Sequence, residues 1–358
     1  MVRIQEGKVA IELPEQGAAT RKLEVFHNQR MALARDLLIA LLRARGVRGL
    51  RVCDPLAGSG VRALRLLVEA SDVVQQVLVG DSSSRAVACA RRNALELGVA
   101  DRMLFFEEDA RVLLAREDNC DVVDIDPFGS PNPFLDAAVQ ALRPEGLLCV
   151  TATDTAALAG AYPRTCVRKY WARPLRGAYE HEAGLRILVR KVQLVGAQHG
   201  RALMPVMAYA REHYYRAVFS SVKLRKAAEE VALGFGFLSV LASGEVCLGR
   251  DLCGVSAGPL WVGPLGDAGE LCRMVPLLEG EAREVCALLA EESFEGVLYC
   301  VHQLCKALGV PKVPRLEAVL ACLRGRGVRA ERSHVGPTML RTDASFELVR
   351  SCFENLKR

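Results

Sequence analysis

The sequence has none of the segments that mark a membrane or secreted protein. No apolar run reaches the roughly 18 residues that a membrane-spanning helix needs, and residues 1–15 contain no apolar signal-peptide core. Of the 358 residues, 51% are apolar and 25% are charged, which is a globular composition with enough length for two domains. We therefore expect a cytoplasmic protein, interpreted as a monomer, with no membrane partner.

Two common phosphate-binding signatures are also absent. There is no GxGxxG, which disfavours a dinucleotide site, and no GKS or GKT, which excludes a P-loop. The chain instead has the turn Asp54-Pro-Leu-Ala-Gly-Ser-Gly60 between a short strand and the predicted helix Val61–Ala70. Strand, glycine turn and helix open a nucleotide-binding α/β unit, because the glycines let the backbone approach a ligand at the helix N-terminus.

Closely spaced cysteine pairs are missing, since none of the thirteen cysteines forms a CxxC. Single cysteines within apolar runs, such as Cys149 and Cys286, are interpreted as small buried hydrophobes in a reducing cytosol. Cys247, Cys253 and Cys272 do not make a four-ligand zinc spacing, so we expect no metal. The Arg-rich, Asn-poor composition hints at a hyperthermophile, in which one or two disulfides would be compatible with the cytosol.

Short apolar segments alternate with turns and helices over most of the chain. Strands are predicted at Leu50–Cys53, Val77–Val79, Met103–Phe106, the first half of Cys120–Pro133, Gly146–Thr151, Val206–Tyr209 and Arg216–Ser220. Other predicted elements are a hairpin within residues 1–25, a basic strand within 326–344, and helices at Glu24–Leu42, Ser82–Leu97, Gly280–Glu292, Gly296–Leu308 and Val313–Gly325. This order predicts an α/β protein with a Rossmann-like, mostly parallel seven-stranded sheet over residues 1–220 and an α+β domain over 221–358.

An acidic residue follows three of the predicted strands, namely Asp81, Asp109 and Asp126. Because the carboxyl ends of parallel strands share one edge, we expect these residues to converge with the Gly58–Gly60 turn. Their charge would repel a triphosphate but suits a nucleoside with a cationic end, such as S-adenosylmethionine, whose sulfonium an aromatic ring would stabilise. Asp81 follows the glycine turn by about 20 residues, which suits ribose binding; its alternative role is a helix N-cap.

The turn Asp126-Pro127-Phe128 combines a carboxylate, a proline with fixed φ and an aromatic ring. The carboxylate can accept an N–H of an exocyclic amine and take its proton, while the ring stacks on the flat base. The plainer alternative is a surface turn in which Asp126 caps a helix. No cysteine is placed as a covalent nucleophile, so methylation of a ring carbon has no candidate.

Basic residues are concentrated in two regions. Residues 161–201 contain nine Arg or Lys against two Glu, a local charge of +7, and residues 301–358 contain eleven against five acids, a local charge of +6. In the first region they alternate with aromatics, a pattern that suits RNA because phosphates need charge and unstacked bases need stacking partners. The alternative is an amphipathic segment with its aromatics in the core. Phosphate contacts are predicted from Arg164, Arg168, Lys169, Arg173 and the cluster Arg324–Arg332.

Six segments carry a resemblance to a known family. They are VFHNQRMALARD (25–36), DPLAGSGVRALR (54–65), DIDPFGSPNPFLDAA (124–138), TATDTAALAG (151–160), GPLWVGPL (258–265) and RSHVGPTMLRTDA (332–344). With these segments the sequence resembles the tRNA (guanine-26) dimethyltransferase family over nearly its full length. The resemblance implies a class I methyltransferase domain, a family-specific C-terminal tRNA-binding domain, and transfer of one or two methyl groups from S-adenosylmethionine to the N2 amine of guanine 26 in tRNA.

The resemblance also implies roles for individual residues. Arg35 would meet the carboxylate of the cofactor, Asp81 would hold the ribose, and Asp109 with the Ala110 backbone would contact the adenine. The implied cofactor-binding residues are Phe26, Arg35, Asp54, Gly58, Gly60, Arg62, Asp81, Asp109 and Ala110. The implied catalytic residues, which hold the target guanine, are Asp126, Pro127 and Phe128.

The sequence departs from the family pattern at two places. Members often have paired cysteines for zinc in the C-terminal domain, which are missing here, and His27 and Gln29 stand where Tyr and Pro are expected. Three other functions stay open at this point. They are methylation of another guanine or an adenine in RNA, non-catalytic tRNA binding, and, less favoured, NAD-linked oxidation.

Overall fold

The computed structural model describes residues 1–14 and 23–356. The chain begins with an antiparallel hairpin of β1 (Val2–Glu6) and β2 (Val9–Leu13), in which Val2 lies opposite Leu13. The predicted hairpin is thus confirmed for these strands, whereas residues 15–22 of the same segment lie outside the described residues. No helix in the described part of the chain is both long and apolar enough to cross a membrane.

The central feature of the fold is a seven-stranded sheet. Its strands are β3 (Leu50–Asp54), β4 (Val74–Asp81), β5 (Met103–Glu107), β6 (Cys120–Ile125), β7 (Leu142–Ala152), β8 (Ala202–Arg211) and β9 (Tyr214–Val222). They are ordered β5-β4-β3-β6-β7-β9-β8, and β9 alone runs in the direction opposite to the other six strands. All seven predicted strands and the mostly parallel sheet are confirmed. The order reverses between β3 and β6, which is where open α/β sheets bind ligands.

Helices cover both faces of this sheet. They are α1 (Ala32–Arg45), α2 (Val61–Glu69), α3 (Ser84–Glu96), α4 (Ala110–Arg116), α5 (Asn132–Ala141), α6 (Thr155–Leu158), α7 (Pro163–Tyr170) and α8 (Glu180–Gln198). The prediction that the first helix starts at Glu24 was wrong. Asn28 is extended and its side chain accepts a hydrogen bond from the Arg30 N–H, and the Phe26 carbonyl accepts one from Ser59. The segment before α1 is therefore held over the glycine turn.

The C-terminal part contains two small antiparallel sheets and six helices within the described residues. The elements are α9 (Arg225–Leu233), β10 (Phe235–Val240), β11 (Val246–Gly249), β12 (Val255–Trp261), α10 (Ala268–Met274), α11 (Gly280–Glu292), β13 (Val297–Cys300), α12 (Val301–Ala307), α13 (Leu316–Arg324), β14 (Ala330–Arg332), β15 (Met339–Thr342) and α14 (Phe346–Asn355). The sheets are ordered β11-β10-β12 and β13-β15-β14. The predicted helix Gly296–Leu308 was wrong in its first half, because β13 pairs with β15 there.

The C-terminal part packs directly on the central sheet and its helices. Leu271 and Met274 of α10 share a core with Leu37 and Leu38 of α1. Buried charges strengthen the contact, because Glu182 of α8 accepts hydrogen bonds from Arg186 and Arg341. The boundary predicted near residue 220 falls at the end of β9 and stays a prediction.

The cysteines are mostly buried and free. Cys149 and Cys286 lie in the core, as their apolar surroundings predicted, and burial raises the pKa of both thiols to about 12. Cys322 and Cys352 form a disulfide that joins α13 to α14. The composition had left one or two disulfides possible, and this is one within the described residues.

Candidate active site

A cavity opens at the carboxyl ends of β3 and β6, where the strand order reverses. The structure brings five of the predicted site residues into its wall. They are Phe26, Arg35, Asp54, Arg62 and Asp126. These residues come from three separate segments of the chain, 25–36, 54–65 and 124–138, so the sheet topology is what assembles the site.

The glycine turn borders the cavity through Ala57 and Ser59, whereas Gly58 and Gly60 are not among the residues that line it. Gly58 and Gly60 both have positive φ, 52° and 74°. A Cβ atom built on Gly58 would lie 2.6 Å from the Phe26 carbonyl oxygen, and one on Gly60 would lie 2.6 Å from the Ala90 Cβ. Only glycine satisfies both the conformation and the close approach, so the turn packs tightly against Phe26 on one side and against α3 on the other.

Asp81 fixes the glycine turn from the neighbouring strand. Its carboxylate accepts one hydrogen bond from the Gly58 N–H and one from the Ser83 N–H, both at 2.9 Å. The N-cap of α3 is Ser83, whose hydroxyl accepts from Ala86. The alternative in which Asp81 is the N-cap of α3 is therefore wrong. Asp81 instead holds the glycine turn in place from the end of β4.

Replacing Gly58 by alanine is expected to weaken S-adenosylmethionine binding by about tenfold or more, because the added Cβ would meet the Phe26 carbonyl and displace a residue of the cavity wall. Isothermal titration measures the change. Gly98→Ala is the matched control, because Gly98 has a φ of 65° but nothing within 4 Å of its Cβ position. Equal cofactor affinity in the two variants would contradict a role for the turn in the site.

Arg62 at the start of α2 links three carboxylates. Its guanidinium donates to Asp124 at 2.7 Å and to Asp126, and its Nε lies 3.8 Å from Asp54. Arg216 of β9 donates two further hydrogen bonds to Asp124, at 2.8 and 2.6 Å. Arg62 therefore holds Asp126 in place, and Asp124, which is itself bonded to Arg216, holds Arg62.

Burial and charge act in opposite directions on the carboxylates of this cluster. Burial raises the pKa of Asp54 to about 7, against the nearby charge of Arg62. Burial also acts to raise the pKa of Asp124, but the charges of Arg216 and Arg62 outweigh it, so that pKa lies below its ordinary value. Asp54 Oδ1 is buried without a hydrogen-bond partner among the described residues, which leaves a polar atom for a ligand to satisfy.

The turn after β6 presents Phe128 at the mouth of the cavity. Its ring centroid lies 4.3 Å from that of Phe26 in an edge-to-face arrangement, and 37% of the residue is exposed. Pro127 is buried. Thr153 fixes the turn by accepting from the Gly129 N–H at 2.6 Å and donating its own N–H to the Gly129 carbonyl at 2.9 Å. An exposed ring on a rigid turn can stack on a base.

Arg35 lies in the cavity wall but is paired with a residue that the sequence did not indicate. Glu6 of β1 accepts two hydrogen bonds from Arg35, both at 2.6 Å, and one from Arg65 at 3.1 Å. His27 lies beside this pair, with Nδ1 3.2 Å from the Ser59 hydroxyl, and burial together with the Arg35 charge lowers its pKa to about 4. Its ring is therefore neutral near pH 7.

Asp109 and Ala110 lie outside the cavity wall, at the end of β5 and the start of α4. The Glu108 N–H donates to the Asp81 carbonyl, so this segment adjoins Asp81 along the same edge. Asp109 caps α4, and hydrogen bonds from the side chain and N–H of Arg111 lower its pKa to about 2. Ala110 is buried. The predicted adenine-binding pair thus lies one strand beyond the predicted ribose-binding residue.

The described ranges contain no group of three or more His, Cys, Asp or Glu side chains placed to hold a metal ion. We expect the purified protein to carry no stoichiometric zinc, because Cys247, Cys253 and Cys272 supply too few ligands for a closed site. Elemental analysis is the measurement. About one zinc per chain, or unfolding by a chelator, would contradict this expectation.

The sheet order, the glycine turn at its switch point and the acidic residues along the same edge define a class I methyltransferase. Residues 7–354 match the family model for N2,N2-dimethylguanosine tRNA methyltransferase. The chain belongs to this family.

Relatives and a solved structure agree with that assignment. The chain is 36% identical to the tRNA (guanine(26)-N(2))-dimethyltransferase of Pyrobaculum aerophilum, covering 95% of this chain and 92% of the relative. It is 34% identical to the enzyme of that name from Methanothermobacter thermautotrophicus, covering 99% of both. The structure of Trm1 from Pyrococcus horikoshii in complex with S-adenosyl-L-methionine is similar, with a TM-score of 0.87, 30% identity and coverage of 98% of this chain and 99% of that one.

Proposed function

We propose that the protein transfers one or two methyl groups from S-adenosylmethionine to the exocyclic N2 amine of guanine 26 in tRNA, giving N2,N2-dimethylguanosine. The observation that carries the proposal is the Asp126–Phe128 turn, which places a fixed carboxylate and an exposed ring at the mouth of the cavity. The activity that the relatives' names give them supports the same reaction.

The residues around the cavity fit the methyl donor. Ala57, Ser59 and Val61, from the glycine turn and the start of α2, line the cavity, and Asp54 offers a buried oxygen without a partner among the described residues. We assign cofactor binding to Phe26, Arg35, Asp54, Gly58, Gly60, Arg62, Asp81, Asp109 and Ala110. When bound, S-adenosylmethionine supplies an activated methyl group on a sulfonium, a cation that an aromatic face such as Phe26 stabilises.

The target base is held by Asp126, Pro127 and Phe128. Asp126 accepts one N–H of the guanine amine and takes the proton that the amine loses on methylation. Arg62 keeps this carboxylate in place, and Phe128 stacks on the base after it leaves its tRNA stack. The remaining rate acceleration comes from holding the guanine amine and the methyl donor in line with each other. Methyl transfer needs no covalent nucleophile on the protein.

The proposal is tested by incubating an unmodified tRNA transcript with the protein and S-adenosylmethionine, then mapping methylated nucleosides by mass. We expect methylation at position 26, and none in a matched transcript with adenine there. Equal methylation of both transcripts would shift the target to another base. Absence of any methylation, together with titrated binding of NAD in place of S-adenosylmethionine, would overturn the proposed class.

We also propose that the enzyme is a cytoplasmic monomer in which residues 221–358 form the tRNA-binding domain. The basic character of residues 301–358 supports the domain assignment. Buried, free thiols such as Cys149 and Cys286 suit a reducing compartment. Light scattering that gives the mass of two chains would contradict the monomer.

A further inference from the structure

A second cleft opens beside α7, away from the cavity of the candidate active site. It is lined by Pro163, Arg164, Val167, Arg173, Pro174 and Ser256. The apolar part of the wall consists of two prolines and Val167, which is 45% exposed. Two guanidinium groups stand beside it. An apolar floor next to cations is a combination that suits a nucleotide, whose base is flat and whose phosphates are negative.

The two arginines of this cleft have no counter-charge among the described residues. Of the basic residues in the segment, Lys169 pairs with Asp154 and Arg176 with Glu180. Arg164 and Arg173 have no ion pair with any residue in the ranges 1–14 and 23–356, and both are exposed. Because an exposed cation without a protein partner loses little on binding a phosphate, these two side chains give the cleft its preference for a polyanion.

Hydrogen bonds tie the inner face of α7 to the chain that forms the catalytic turn. The Tyr170 hydroxyl donates to Asp154 at 2.6 Å and lies 3.0 Å from the Ser130 hydroxyl, two residues after Phe128. The Asn132 side chain donates to the Lys169 carbonyl at 2.8 Å. The cleft therefore lies across one helix, about 10 Å, from the turn that holds the target base.

The other wall of the cleft is fixed as firmly. Arg173 and Gly258 exchange two backbone hydrogen bonds of 2.8 Å, which join the segment after α7 to β12. Tyr162 and Trp171, 64% and 60% exposed, stand at the two ends of α7. The cleft is thus preformed between the methyltransferase sheet and the C-terminal part, with aromatic side chains at its borders.

We propose that this cleft binds an unstacked nucleotide of the tRNA substrate close to the methylated guanine, with its base on Val167 and the prolines and its phosphates on Arg164 and Arg173. The inference rests on the proposed function, because a guanine held at Asp126 brings neighbouring nucleotides within reach of α7. The cleft would hold the tRNA in register while the target base is swung out.

The test uses the full-length protein with Arg164→Ala, Arg173→Ala, the double variant and Val167→Asp, all at exposed positions. Binding of unmodified tRNA is measured by fluorescence anisotropy over a series of salt concentrations. We expect each arginine variant to weaken binding about 3- to 10-fold and to flatten the salt slope by up to about one unit. Val167→Asp should weaken binding by about tenfold, because it places a carboxylate beside the phosphates.

The matched control is Arg48→Ala. Arg48 is exposed and lies just before β3, at the edge of the sheet opposite Asp126, so its loss removes the same charge far from Asp126 and outside residues 221–358. Unchanged affinity and slope in the α7 variants, or an equal loss in Arg48→Ala, would overturn the inference. Methylation at position 26 by the wild type, measured alongside the binding assay, tests the proposed function separately. Absence of that methylation would contradict the proposed function, whereas the α7 variants test only the cleft.

Discussion

Asp126→Ala is expected to lower the single-turnover rate of tRNA methylation by about 10²–10⁴-fold, the usual contribution of a positioned acid–base group. The affinity for S-adenosylmethionine should stay nearly unchanged, because Asp81 and Asp109, assigned to the cofactor, belong to other strand ends. A fall in rate without a change in cofactor binding identifies an interaction made to the methyl acceptor.

The chemistry of the acceptor explains the size of the effect. A guanine amine is a poor nucleophile, because its lone pair is delocalised into the ring. A carboxylate that accepts one N–H can turn the lone pair out of conjugation and take the proton as the new C–N bond forms. Arg62 fixes Asp126 for this task, so the carboxylate needs no reorganisation when the base arrives. The second methylation should suffer at least as much, since only one N–H then remains to be held.

Two variants sharpen the measurement. Asp126→Asn keeps the shape of the side chain but cannot take a proton, so it should lose much of the rate. Asp136→Ala removes an exposed carboxylate of α5 that pairs with His199, and its rate should match the wild type. Single-turnover rates near wild type in Asp126→Ala would remove Asp126 from the mechanism.

Local sequence patterns were sufficient to predict the sheet and the residues at its edge. Short apolar runs predicted all seven central strands, and the sheet topology then placed Asp54, Arg62 and Asp126 around one cavity. The same method failed at Val297–Cys300. A four-residue apolar run has no periodicity that separates a strand from the first turn of a helix, and only pairing with β15 decides it.

The partners of the site residues could not be predicted, because they come from distant parts of the chain. Glu6 pairs with Arg35 across 29 residues, and Arg216 pairs with Asp124 across 92. Neither pair has a sequence spacing that identifies it. One signal was available for Asp124, since a charged residue inside a fully buried strand needs a partner, but the sequence does not say which cation supplies it.

Asp124→Ala is expected to lower the free energy of unfolding by about 3–5 kcal/mol, the usual cost of removing one partner from a buried ion pair. Asp124, Arg62 and Arg216 are all buried, and the carboxylate receives hydrogen bonds from both guanidinium groups. Its loss leaves Arg216 with the Thr151 hydroxyl as its remaining side-chain partner among the described residues. Chemical denaturation at neutral pH measures the difference.

The pH dependence of this difference has a definite sign. Burial alone would raise the pKa of Asp124, but Arg216 and Arg62 bring it below the ordinary value of 3.8. A carboxylate with a lowered pKa stabilises the folded state fully above its unfolded pKa, and this contribution is lost as the pH falls through the folded value. The gap between wild type and Asp124→Ala should therefore be constant near neutrality and should shrink below about pH 4.

An exposed ion pair supplies the matched control for Asp124→Ala. Glu354 pairs with Arg350 on the surface of α14 at 2.9 Å, and Glu354→Ala should cost no more than about 0.5 kcal/mol, because water screens an exposed helical pair. A comparable loss in the two variants would mean that burial does not strengthen the Asp124 cluster. Asp124→Ala also removes the carboxylate that holds Arg62, the residue that in turn positions Asp126. Methylation measured well below the unfolding temperature should then fall along with stability, whereas Glu354→Ala should leave the rate unchanged.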